Sequence, residues 1–97
     1  MKSLTNLKRA FGTAKMVRIK SVRLLAGEDA FEVEFDDGLT FLEEHKTIRK
    51  ANRIAPTAQP TEVVLDRQCR IGFEVYYDNG QRAEVSWSFV RELPPGR

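Results

Sequence analysis

Apolar and polar residues alternate along residues 71–87 with a period of two, which is typical of half-buried β-strands. The apolar positions are Ile71, Phe73, Val75 and Tyr77 in the first arm, and Ala83, Val85 and Trp87 in the second. All of these numbers are odd. Directly opposed residues of a hairpin point to the same face, so the two numbers of each opposed pair must add up to an even value.

The turn of this hairpin must therefore place odd-numbered residues of one arm opposite odd-numbered residues of the other, so that all the apolar side chains share one face. A two-residue turn at Asn79-Gly80 sets Tyr77 opposite Arg82 and separates the apolar sets onto two faces. A three-residue loop over 78–80, with Gly80 in a left-handed conformation, opposes Val75 to Ala83 instead. The sequence predicts the three-residue loop.

The same hairpin pattern occurs twice in the chain. Residues 31–38 read FEVEFDDG, and residues 73–80, which follow 42 positions later, read FEVYYDNG. The three-residue rule also fits the first copy, where loop 36–38 opposes Phe35 to Leu39 and Val33 to Phe41. Either duplication or convergence on favourable turn chemistry accounts for the likeness.

The remaining segments predict further strands and helices. Residues 17–25 (VRIKSVRLL) and the stretch from Glu62 to Asp66 are interpreted as strands, and the second hairpin as residues 70–87. A helix is expected from about Glu43 to Arg53, although a Thr40/Glu43 capping box would start it earlier. Residues 5–15 predict a short helix, and SFVREL a closing turn.

This order predicts an α+β fold: a mostly antiparallel sheet of about six strands, including two similar hairpins, with one or two helices. A half-open barrel of the same strands is the alternative. We expect residues 1–16 to form an N-terminal helical extension and residues 17–97 to form a single domain, since a chain of this length suits one compact core.

Charge is segregated along the first half of the chain. Residues 1–27 contain seven Lys or Arg and no acid, residues 28–44 contain eight Asp or Glu and no Lys or Arg, and residues 45–60 contain four Lys or Arg and no acid. We expect these blocks to be neighbours in the fold, because opposite charges on paired strands attract.

The composition narrows the class of protein. The net charge is only +2, the sequence contains one cysteine, and no apolar run approaches the length of a membrane span. We therefore expect a cytoplasmic protein without membrane contacts. Cys69 is expected to be a small core residue of a strand, with a reactive thiol beside Arg67 and Arg70 as the less favoured interpretation.

Two sets of residues could support catalysis. His45 is the only histidine and is flanked by Glu43 and Glu44, but a surface or helix-start role is favoured, because adjacent helix residues point in different directions. Glu74 lies opposite Glu84 in the predicted register, and paired carboxylates can raise one pKa. Neutralisation of these carboxylates by Arg67, Arg70 or the first strand's Arg18 and Lys20 is favoured. No metal-binding or cofactor-binding pattern is present, so no cofactor is expected.

The second hairpin supplies the candidate interaction residues Tyr76, Arg82, Trp87 and Phe89, because aromatic residues and arginine are enriched at protein interfaces. The leading hypothesis is a small non-enzymatic protein-interaction module that self-associates or binds another protein. The alternative is a nucleic-acid-associated regulator that uses the basic N-terminal region. An enzyme is the third hypothesis.

Residues 17–38, VRIKSVRLLAGEDAFEVEFDDG, resemble the opening of a bacterial family of roughly eighty-residue domains of unknown function. Members of that family start with V-x-S-V and continue to F-x-D-G. The middle of the chain departs from the family pattern, and YYDNG with SWSFVREL matches its later W-x-N-G segment only loosely. The resemblance implies a small bacterial α+β domain, sometimes encoded near toxin and antitoxin genes, with no established catalytic residues.

Overall fold

The computed structural model describes residues 16–91 of the chain. Three strands, β1 (Ile19–Leu25), β2 (Ala30–Phe35) and β3 (Thr40–Glu44), are followed by helix α1 (His45–Asn52). Three more, β4 (Pro60–Leu65), β5 (Gly72–Tyr77) and β6 (Arg82–Ser86), are followed by helix α2 (Trp87–Arg91). The described chain therefore contains two halves with the same order of strands and helices, three strands followed by one α-helix.

The strands form two three-stranded antiparallel sheets, ordered β1-β2-β3 and β4-β5-β6. This confirms the α+β class and the six strands. The sheets stay separate and do not close into a barrel; β1 and β4 lie beside each other without forming a ladder. The predicted N-terminal helix lies outside the described residues.

The predicted register is confirmed in both hairpins. Val75 pairs with Ala83, and Val33 pairs with Phe41. In the first loop the backbone N–H of Phe35 donates to the carbonyl of Leu39 at 2.9 Å. The glycines of the two loops have φ angles of 90° and 87°, the left-handed conformation that a three-residue hairpin loop requires.

The likeness of the halves extends well beyond the hairpins. The first strand of each half carries an irregularity at the same place, between Ile19 and Ser21 in β1 and between Pro60 and Glu62 in β4. The residues that start the helices, His45 and Trp87, are again 42 positions apart. Turn chemistry does not require this agreement, which favours duplication of a β-β-β-α unit over convergence.

Three local expectations differ from the structure. The Thr40/Glu43 capping box is wrong, because Thr40 pairs with Glu34 inside the sheet and α1 begins only at His45. Residues 88–91 of the SFVREL segment belong to α2, where a turn was expected; the rest of that segment lies outside the described residues. Cys69 is exposed in the turn between β4 and β5 and is not a core strand residue.

The core lies between the two halves, because each helix packs against its own sheet and also against the last strand of the other half: α1 contacts β6 and α2 contacts β3. Ile48 of α1 and Val90 of α2, which are equivalent positions 42 residues apart, are both buried. Phe31 of the first sheet lies against Phe73 of the second, with ring centroids 6.0 Å apart. The halves thus share one hydrophobic core.

Candidate functional site

His45 joins the two halves through a buried polar contact. Its ring is fully buried, with Nδ1 3.1 Å from Oδ1 of Asp29 and Nε2 2.8 Å from the hydroxyl of Tyr77. Asp29 precedes β2, whereas Tyr77 ends β5 in the other half. The expectation of a helix-start position is confirmed, but the side chain lies in the core and not at the surface.

The surroundings of His45 favour its neutral form. Burial lowers the pKa of His45, and the hydrogen bond to Asp29 opposes this shift only in part. A neutral ring can donate from Nδ1 to the Asp29 carboxylate while Nε2 accepts from the Tyr77 hydroxyl. Phe31 covers the ring edge-on, with centroids 5.1 Å apart. This arrangement gives a substrate no access to the imidazole, so we assign it a structural role.

Glu74 and Glu84 lie opposite each other, as predicted. Arg82 bridges them, with guanidinium nitrogens 3.4 Å from the Glu74 carboxylate and 3.0 Å from the Glu84 carboxylate. The Tyr76 hydroxyl donates to Glu74 at 2.7 Å. The arginine that neutralises the pair is therefore Arg82 of the same hairpin, instead of the arginines and lysines of β1 or of the turn after β4.

A groove of about 670 Å³ runs along the outer face of the second sheet, between α2 and the C-terminal end of α1. Its lining includes the partly exposed apolar residues Val64, Ile71 and Phe89, besides the core residues Phe73 and Val85. It also includes the carboxylates of Asp66, Glu74 and Glu84, of which Glu74 and Glu84 pair with Arg82. We call this feature the second-half groove.

The equivalent region of the first half has a different character. Arg23 stands opposite Glu32 in the first sheet, as Val64 stands opposite Glu74 in the second. The Arg23 guanidinium bonds directly to the Glu32 carboxylate. An ion pair therefore occupies the first-half position at which the second half presents an apolar valine.

The helices differ in the same way. Phe89, in the third position of α2, is equivalent to Thr47 in the third position of α1. Because both halves have the same fold, the fold itself does not require an aromatic residue here. Leu42, at the first-half position of Glu84, is 58% exposed, so the first sheet also bears apolar surface. What the second half alone combines is an apolar residue at the position of Val64 with an aromatic residue at the position of Phe89.

The four predicted interaction residues are only partly brought together. Tyr76 and Arg82 join the carboxylate cluster beside the second-half groove, and Phe89 lines the groove. Trp87, like Phe89, is half-buried and packs against the core, but it does not line the groove. The sequence analysis missed Val64 and Ile71. Their first-half equivalents, 41 and 42 residues earlier, are the charged residues Arg23 and Asp29, so a comparison of the two halves would have marked both positions.

The segregated charge blocks pair as expected. In the first sheet, Lys20 lies 3.7 Å from Glu34. Asp36 and Asp37, in the first hairpin loop, each receive two hydrogen bonds from an arginine of the second half, Arg70 and Arg91 respectively. The hydrogen bonds from Arg70 and Arg91 lower the pKa values of these two carboxyl groups. These pairs join the first hairpin to the second half.

Within residues 16–91, no group of three or more His, Cys, Asp or Glu residues is placed to hold a metal ion. The helices described here are also too short to span a membrane. Comparison of the chain with protein-family models, curated proteins and solved structures found no match. The resemblance noted for residues 17–38 stays a prediction.

Proposed function

We propose that this chain is a small non-enzymatic protein-interaction module that self-associates through the second-half groove. The observation that carries the proposal is the contrast between the halves: the same backbone bears an ion pair at Arg23 and Glu32, but exposes apolar surface at Val64 and Phe89. Burying apolar surface of this kind gives a gross gain of about 25 cal/mol per Å², and only the part that exceeds the entropy cost of association stabilises the complex.

The chemistry of the groove defines what it can bind. Its apolar side chains favour an apolar partner surface, and Asp66 favours Lys or Arg beside that surface, since Glu74 and Glu84 already pair with Arg82. Ile71, with 37% of its surface exposed, and the aromatic ring of Phe89 are the types of side chain that anchor interfaces. Protein segments that combine apolar and basic residues fit these requirements.

Nucleic acid is the less supported partner. Of the basic residues in the described part of the N-terminal block, Lys20 and Arg23 pair with glutamates of the first sheet. A phosphate would have to displace these carboxylates. Apart from Arg18, the remaining basic residues of the N-terminal region lie outside the described part, and the alternative of a nucleic-acid-associated regulator stays a prediction.

A single substitution can give the second half the character of the first. Val64→Arg places a guanidinium opposite Glu74, in the register that Arg23 and Glu32 already occupy without disturbing the fold. The new side chain would pair with Glu74 and cover the apolar lining. Arg23→Val is the matched control, because it makes the reverse change at the equivalent position.

Sedimentation equilibrium of the full chain, from low micromolar to millimolar concentration, tests the proposal. We expect a reversible dimer whose dissociation constant rises at least about tenfold in Val64→Arg and stays unchanged in Arg23→Val. The free energy of unfolding of Val64→Arg should stay within about 1 kcal/mol of the wild type. A monomer at every concentration, or an equal loss in Arg23→Val, contradicts the proposal.

A further inference from the structure

The N-terminal segment, residues 1–15, has the composition that the second-half groove requires. It contains four basic residues, Lys2, Lys8, Arg9 and Lys15, and no acid. Leu4, Leu7 and Phe11 recur at helical spacing, so a helix would present them on one face. Its apolar face is complementary to the apolar lining of the groove, and its positive charge is complementary to Asp66, since Glu74 and Glu84 already pair with Arg82.

The start of the described chain places the root of this segment close to the groove. The backbone N–H of Ile19 donates to the carbonyl of Arg70 at 2.7 Å. The next residue, Ile71, lines the groove. A segment that leaves the fold beside Ile19 therefore starts on the side of the molecule where the groove ends.

Little chain remains between this segment and the fixed part of the fold. Val17 packs against the core, and the carbonyl of Arg18 accepts a hydrogen bond from the backbone N–H of Asp36 at 2.9 Å. Met16, with 49% of its surface exposed, is the one described residue that precedes them. Short connections of this kind favour exchange of a segment between two copies over folding back onto the same copy.

We propose that residues 4–15 of one copy dock in the second-half groove of a second copy, and that the two copies exchange these segments reciprocally. Leu4, Leu7 and Phe11 contact the apolar lining, while Lys8, at the edge of the same helical face, lies near the acidic side of the groove. Reciprocal exchange closes the contact into a dimer, because each copy supplies one segment and one groove. This inference rests on the proposed function and names the surface that enters the groove.

Paramagnetic relaxation measured between two differently labelled copies of the full chain tests this inference. Cys69, the only cysteine, is exposed in the turn between Asp66 and Ile71, both of which line the groove. A nitroxide on Cys69 of an isotopically silent copy should broaden the amide signals of residues 4–11 of an isotopically labelled copy mixed with it. A diamagnetic analogue of the label is the control.

The variant Leu7→Asp adds a charge to the apolar face and should remove both the broadening and the dimer, raising the dissociation constant at least about tenfold. Asn6→Asp adds the same charge outside that face and should raise the dissociation constant far less. Broadening only within a single copy overturns the exchange in favour of folding back. A dimer that persists in Leu7→Asp without broadening overturns the segment assignment but leaves self-association through the groove intact.

Discussion

The contact between His45 and Tyr77 makes a direct prediction about stability. Tyr77→Phe removes one hydroxyl and otherwise preserves the ring, and Phe35 already occupies the equivalent position of the first half. The lost hydrogen bond is 2.8 Å long and buried, so Nε2 of His45 is left without a donor. A buried polar atom without a partner costs about 1–3 kcal/mol. At about 2 kcal/mol the melting temperature falls by roughly 8–16 °C for a domain of this size.

Tyr76→Phe is the matched control for this experiment. It removes the hydroxyl that donates to Glu74 at the protein surface, where Arg82 and solvent can replace it, so we expect a change within about 0.5 kcal/mol. Urea unfolding at pH 8, followed by the fluorescence of the single tryptophan, Trp87, measures both variants. Equal effects of the two substitutions would refute the assignment of a buried hydrogen bond that joins the halves.

The pH dependence of the wild type follows from the same histidine. Burial lowers the pKa of His45 in the folded chain below its ordinary value of 6.5. Below that value the unfolded chain gains a proton that the folded chain resists, so the free energy of unfolding should fall as the pH drops. His45→Gln, which cannot titrate, should show a weaker decrease in the same urea experiments. An unchanged pH slope would contradict the buried neutral ring.

Two further predictions concern a carboxylate and a glycine. Burial, assisted by the charge of Glu44, raises the pKa of Glu43 from 4.5 to about 6, so stability falls as the pH rises from about 4.5 to 6 and stays lower above that range. Glu43→Gln should therefore raise the free energy of unfolding at pH 7 by about 1 kcal/mol, whereas Glu44→Gln should change it little. An unchanged stability in Glu43→Gln would contradict the assignment. Gly80 has a φ angle of 87°, and no heavy atom lies within 4 Å of the place that a Cβ would take there, so Gly80→Val should lose about 1–3 kcal/mol from backbone strain alone. Gly27→Val, at a glycine that is equally open but lacks a positive φ, is the control, and thermal unfolding measures both variants. A loss of unfolding free energy well under about 1 kcal/mol in Gly80→Val would argue against the left-handed conformation.

Local patterns predicted the hairpins well, because they depend on residues close in sequence. The odd numbering of the apolar positions was enough to select a three-residue loop, and the pairing of Val75 with Ala83 followed from it. The start of α1 was predicted two residues early. Glu43 and Glu44 have the acidic character of a first helical turn, but pairing with β2 keeps both in the sheet.

The contacts between the halves could not be predicted in this way. Asp29 and Tyr77 are 16 and 32 residues from His45, and no local pattern indicates that the three meet. The division into two sheets also depends on long-range packing. The sequence repeat does contain evidence of the second-half groove, because Arg23 and Val64 occupy equivalent positions. That equivalence depends on aligning β1 with β4, and the alignment came from the structure.

The central claim is that the second half, and not its first-half equivalent, forms the interaction surface. Amide chemical shifts of the full chain, recorded from low micromolar to millimolar concentration, test this claim residue by residue. We expect concentration-dependent shifts at Val64, Ile71 and Phe89, and none at Arg23 or at Leu42, whose side chain is 58% exposed in the first sheet. Shifts confined to Arg23 and Leu42, or no shifts at any position, would contradict the account.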